Sequence, residues 1–151
     1  MYINKMEEFI HKLPMDIVLR IIPYTYNFQN RHLLDDIQNY TDSKKILSEL
    51  YHNFWIIQMQ SENPQEDKNW LINDIFVYAN QYNPTMFGYI DNFYNIFRRN
   101  RYLQTNEKID KFVSDLEKKE VSTQINIFLG LFTINERKKF IYSFPEIVEI
   151  I

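Results

Sequence analysis

Three histidines, a short run of arginines and several neighbouring carboxylates are the groups in this 151-residue chain with the chemistry to act on a ligand. His11, His32 and His52 stand far apart, and no two share a metal-ligand spacing. A metal or acid–base site would have to assemble in three dimensions, for example from His32 with Asp35 or Asp36. The simpler reading is a set of solvated or helix-edge histidines. The adjacent acids Glu7 and Glu8, Asp35 and Asp36, and the near pair Asp115 and Glu117 fall on polar helix faces beside lysines or asparagines, where carboxylates chiefly hold water. The stretch DKNWLINDIF, 67–76, has the acids of a calcium loop but the wrong residues at its fifth and sixth positions, and it fits an amphipathic helix better.

Arg98, Arg99 and Arg101, set between Phe97 and Tyr102, form the one basic cluster with aromatic neighbours. Such a cluster can grip phosphates while the rings stack on bases, or meet an acidic protein partner. It also suits the end of a helix, where cations offset the last carbonyls. The chain carries 17 Lys and Arg against 20 Asp and Glu, so no overall basic field favours nucleic acid.

Other chemistries are closed off by residues the chain lacks. With no cysteine there is no disulfide, no thiol nucleophile and no cysteine-ligated zinc. The two glycines, Gly88 and Gly130, are isolated in apolar helical patterns, so neither a Walker loop nor a dinucleotide fingerprint exists. No serine sits in a nucleophile elbow. The expectation is a non-enzyme without cofactors. Its rival is a hydrolase or nuclease hidden around His32 and Asp35.

Elements that would position these groups read as helices throughout, with no period-2 strand. Expected helices run from Asn4 to 12, from Pro14 to a stop before Pro23, over 30–40, and from an Asp42 cap through a row of Ile46, Leu50, Phe54 and Ile57. After the polar stretch 61–67 follow a helix facing Leu71, Ile75, Tyr78 and Tyr82 inward, then a stop-and-start signal at Asn83 and Pro84. Met86, Ile90, Phe93 and Phe97 repeat at helical spacing beyond it. Thr105 caps a segment with Ile109, Phe112, Val113 and Leu116 on one side. Thr133-x-x-Glu136 and Ser143-x-x-Glu146 fit the capping box. The whole predicts one compact all-α domain over 1–151, a bundle of roughly eight short to medium helices. Ile17, Ile21, Leu50, Phe54, Ile90, Phe93, Phe112 and Leu116 are its expected core.

The stretch KLPMDIVLRIIPYTYN, 12–27, carries the most specific pattern. Leu13, Ile17 and Ile21 recur every four residues, and Val18 and Ile22 widen the stripe. Either the protein's own core or a partner's groove must cover it. Leu13, Pro14, Asp16 and Ile17, followed by Ile21, Ile22 and Tyr24, resemble the opening of the F-box. Leu33 and Leu34 resemble that family's next leucine helix, and Leu50 through Trp55 its closing aromatic region. The resemblance implies a segment over 12–60 that binds a Skp1-type adaptor of a ubiquitin ligase through those seven residues. The helical part over 68–151 would then choose a target. LPMDIVLRIIPYTYN, DKNWLINDIF and TQINIFLGLFT are also similar to uncharacterised proteins of giant DNA viruses, mimivirus relatives in particular. A chain rich in Ile, Asn, Lys, Phe and Tyr with a single alanine suits an AT-rich genome of that kind.

With acids at Glu7 and Glu8 and no apolar run near about 20 residues, neither a secretory leader nor a membrane span is expected, which points to an intracellular setting in the host cytoplasm or a viral factory. The alternatives to the adaptor are a viral structural or assembly protein, and a nucleic-acid-binding accessory protein using Arg98, Arg99 and Arg101.

Overall fold

A computed structural model describes residues 13–25 and 30–144, giving the backbone alone over 21–25. The fold is all-α, with seven α-helices and no strand among the described residues. The chain divides into two compact units, Met1–Leu34 and Asp35–Ile151. The polar stretch 61–67 lies inside the second. The helix expected from Asn4 to 12 and Glu146 of the last capping box lie outside the described residues.

In the first unit, α1 (Met15–Thr25) starts on Pro14, whose carbonyl accepts from the amides of Ile17 (3.0 Å) and Val18 (3.1 Å). Proline is well placed there, because an amide at a helix start has no partner to lose. Asp16 in the first turn faces the positive end of the helix dipole. The stop expected before Pro23 does not occur, and the helix runs on to Thr25. A proline removes one N–H bond to the carbonyl four residues back, but it does not prevent the residues after it from keeping helical dihedrals.

Two expected helices are one. α2 (Arg31–Tyr51) begins where the Asn30 side chain accepts the His32 amide (2.9 Å), and it passes through Asp42 without a break. Asp42 is no cap. Its carboxylate accepts from Gln38 Nε2 (3.0 Å), while Thr41 Oγ1 donates to the Ile37 carbonyl (3.0 Å), so both turn-forming side chains are satisfied along the helix. The buried row is Ser43, Leu47 and Tyr51. Ile46 and Ile57 are exposed, and Leu50 and Phe54 are half-buried. Neighbouring rows of a helix differ by about 100°, so spacing cannot choose between two apolar candidates. The row that goes inside carries Tyr51, whose hydroxyl donates to Asp74 Oδ2 at 2.6 Å. From His52 to Gln58 the helix widens into a π turn, with the Met59 amide reaching back five residues to Phe54 (2.9 Å).

The rest of the second unit packs on one aromatic core. α3 (Glu66–Ala79) lies along α6 (Val121–Leu131), and α4 (Asp91–Phe97) contacts α3 and α5 (Asn106–Leu116). Phe93 and Phe97 meet at 5.0 Å between ring centroids, and Phe97 stands edge-on to Phe128 at 5.3 Å. The second pair, edge to face, sets a positive ring edge against a negative face. Thr105 caps α5 by accepting the Lys108 amide, and Thr133 with Glu136 forms the complete capping box that opens α7 (Ile134–Tyr142).

Of the expected core, Phe93 and Leu116 are fully buried, Leu50 and Phe112 pack partly buried against it, and Phe54 and Ile90 are half-buried. Ile17 departs from the expectation at 40% exposure. The side chain of Ile21 lies outside the described residues. α3 ends at Ala79, before Gln81 (φ 49°) and Tyr82 (φ 61°) enter the left-handed region, so Tyr82 points to solvent instead of inward. Asn80 carries this turn. Fully buried, it donates from Nδ2 to the carbonyls of Asn83 (2.9 Å) and Gly88 (3.2 Å) and accepts the Ile90 amide (2.9 Å) on Oδ1. Met86 sits in a short 3-10 turn, Thr85–Phe87, and is also exposed. Among the described residues no helix is long and apolar enough to cross a membrane.

Candidate partner-binding surfaces

α1 presents apolar side chains to solvent. Met15 and Leu19, one turn apart, are 71% and 62% exposed, and Leu13, Pro14, Asp16 and Ile17 are exposed as well. Val18 is half-buried. The side chains of Ile21, Ile22 and Tyr24 lie outside the described residues, although all three positions belong to the helix. Sequence reasoning placed the stripe on Leu13, Ile17 and Ile21 and missed Met15 and Leu19, which stand most open. The signal was present. In an eleven-residue helix whose only charges are Asp16 and Arg20, nearly every face is apolar, so no single buried stripe can absorb them all.

The basic cluster is mostly occupied. Arg99 meets Glu136 through two parallel bonds, Nη1 to Oε2 at 2.6 Å and Nη2 to Oε1 at 2.7 Å, and also donates to the Leu131 carbonyl (2.8 Å). Arg98 donates to Asn95 Oδ1 (2.9 Å) and to Asn106 Oδ1, and its guanidinium lies 5.9 Å from the Tyr94 ring centre. Arg101 bonds the hydroxyl of Tyr102 (2.6 Å) and sits 4.8 Å from that ring. Two roles expected as rivals have thus separated. Arg99 has a structural partner, while Arg101 with Tyr102 stays at the surface.

Carbonyls at the end of α6 explain the arginine geometry. That helix has no basic residue in its own last turn, so cations come from elsewhere. Arg99 takes the Leu131 carbonyl, and Arg137 Nε takes that of Leu129 at 2.6 Å. Sequence reasoning missed Arg137, because it falls in a charged run, ERKK, that reads as a solvated face. Its side chain is 1% exposed, and Nη1 donates to Asp36 Oδ1 (2.7 Å) and Asn39 Oδ1 (3.1 Å).

The candidate acid–base groups are dispersed. Asp36 is committed to Arg137, and His32 is exposed in the first turn of α2. His52 Nδ1 lies 3.4 Å from Asp67 Oδ2, and Asp115 pairs with Lys118 (3.1 Å) at the surface. His11, Glu7 and Glu8 lie outside the described residues. Among the described residues no three His, Cys, Asp or Glu side chains converge as a metal site would need. Burial, then the Asp110 bond and charge, push the Tyr94 phenol up to about 12, and burial with the nearby Glu136 does the same for Tyr78.

Comparison of the chain with protein-family models, curated protein sequences and solved structures finds no match.

Proposed function

We propose that this chain is a non-catalytic protein–protein interaction module whose helix α1 docks in the apolar groove of a partner, a Skp1-type adaptor of a ubiquitin ligase. The observation that carries the reading is the exposure of Met15 and Leu19 on a helix that opens with the F-box-like Leu13-Pro14-x-Asp16-Ile17. Ile17, at 40% exposure, supports it too, since a residue serving only the core would be covered. A short helix laid in a groove draws its affinity from a few anchors, each contributing about 1.5–3 kcal/mol on full burial. Helices of the second unit would hold the target. The setting is intracellular, and the resemblance to giant-virus proteins would make the chain a viral adaptor acting on host ligases.

Affinity capture of the full chain and its Met15→Asp variant from host cells, read by mass spectrometry, tests this. A Skp1-type adaptor should come down with the wild type and be lost with the variant. Its absence from both, or equal recovery with both, would overturn the reading.

A further inference from the structure

The end of α2 and the π turn after it build a cavity within the second unit. Six of the described residues line it: Leu50, Tyr51, Phe54, Trp55, Asp74 and Phe144. Four are aromatic and one is an acid. We propose that this cavity binds an alkylated ammonium ion, a trimethylammonium group above all.

Tyr51 and Phe144 stand nearly perpendicular, at 82° with centroids 5.6 Å apart, and Phe54 and Trp55 stand at 88° and 5.1 Å. Each pair packs edge to face, and all four rings border the cavity. Trp55 is fixed by a parallel stack on Trp70 at 4.6 Å, and Trp70 is in turn anchored by its Nε1 bond to Glu66 (2.8 Å). Ring faces carry negative electrostatic potential and attract a cation, most strongly when it has left water behind. The cavity holds about 160 Å³, close to the roughly 150 Å³ that admits a benzene-sized guest in a protein interior.

Asp74 supplies the sign. One of its oxygens accepts the Tyr51 hydroxyl at 2.6 Å, which fixes the acid and the ring to each other. A negative charge beside four aromatic rings disfavours an anion and favours a cation. It also discriminates among cations. A bare –NH3 group must replace each shed water with an acceptor, and Asp74 is the only acidic side chain in the described lining. An alkylated ammonium has few or no N–H donors to satisfy, and its methyl groups suit Leu50 and the rings. The π turn adds a structural reason, since such turns within helices recur at functional sites.

Trimethyllysine and phosphocholine both carry the group, so the test compares them. The full chain is titrated with tetramethylammonium, choline, methylammonium, trimethyllysine, phosphocholine and 3,3-dimethyl-1-butanol, the neutral counterpart of choline, following Trp fluorescence and heat. Tetramethylammonium and choline should bind saturably, with the neutral alcohol and methylammonium at least about tenfold weaker, a gap of roughly 1.4 kcal/mol. Asp74→Asn, which keeps the shape, should weaken choline at least about tenfold while the melting temperature holds within a few degrees. Trp55→Leu should do the same, with an unchanged helical spectrum as its control. Tighter binding of trimethyllysine would assign the site to a modified side chain, and tighter binding of phosphocholine to a choline ester. Equal binding of the neutral alcohol would mean a plain apolar cavity and overturn the proposal. So would the absence of saturable binding by either quaternary cation, or an unchanged affinity in Asp74→Asn.

Discussion

Arg137, with a side chain 1% exposed, reaches from α7 to Asp36 on α2 and bonds its carboxylate at 2.7 Å, while Asp36 itself stays 43% exposed. The pair is asymmetric, and the asymmetry makes a prediction. Asp36→Leu leaves a buried guanidinium without its counter-charge and should cost about 3–5 kcal/mol. Arg137→Met leaves the partly exposed Asp36 carboxylate and Asn39 amide oxygen, together with the Leu129 carbonyl, and should cost about 1–2 kcal/mol. Urea unfolding of both variants, read by helical circular dichroism, measures the difference.

Asn80 should be the most sensitive polar position of the loop between α3 and α4. It is fully buried and satisfies two carbonyls and one amide of that loop. Asn80→Ala takes the partner from those three groups and empties a fully buried site, and should cost about 1–3 kcal/mol. Asn83→Ala, one residue before Pro84, should cost much less because Asn83 is exposed. Thermal melts of the two variants would separate them by several degrees.

How much of this was legible in the sequence depends on the range of the interaction. Caps at Thr105 and Thr133 were readable, because each is made within three residues. The stop at Asn83 was not, because the real stop at Asn80 depends on Gly88 and Ile90, eight and ten residues away. Likewise, the choice of buried row on α2 depends on Asp74, and the burial of Arg137 on Asp36, 101 residues off. The helix start at Pro14 was readable in the first unit, but the exposure of Met15 and Leu19 was not. The aromatic cavity escaped notice because Phe144 and Asp74 meet Tyr51 only through the fold.

Glu136 should set part of the acid limb of stability. Burial raises its pKa, but the bonds from Arg99 and Thr133 outweigh that and hold the carboxyl below its ordinary value of 4.5. Near pH 4 the folded chain therefore binds fewer protons at this site than the unfolded chain. The contribution is present above that ordinary value and is lost as the pH falls through the lower folded value. Glu136→Gln should lower stability by about 1 kcal/mol at pH 7, a figure kept small because Arg99 is partly exposed, and should flatten the fall between pH 5 and 3. Arg101→Ala, which among the described residues loses a bond to Tyr102 and none to a carboxylate, should change stability by less than about 0.5 kcal/mol. Denaturation at several pH values checks both.

Alkaline titration offers a complementary check. Tyr78 and Tyr94 are both pushed up to about 12, and burial with Asp74 holds Tyr51 above the usual range as well. Between their ordinary value near 10 and their folded values these phenols keep protons that the unfolded chain has released. Stability should therefore decline as the pH rises from about 10 towards 12. Ultraviolet absorbance of phenolate should show these tyrosines ionising late, or only on unfolding. Tyr94→Phe, which removes the 2.9 Å bond to Asp110, should take one late step out of the curve.

The most direct measurement for the docking account is calorimetric titration of the purified full chain with a purified Skp1-type adaptor, repeated with Met15→Asp and Ile17→Asp. Binding with a dissociation constant in the roughly micromolar range is expected for the wild type. Both variants should lose at least about tenfold while their far-ultraviolet spectra stay helical, because neither side chain is buried. Absence of heat with the wild-type chain would contradict the account, as would unfolding of the second unit by Ile17→Asp, the result expected of a helix that serves only as core.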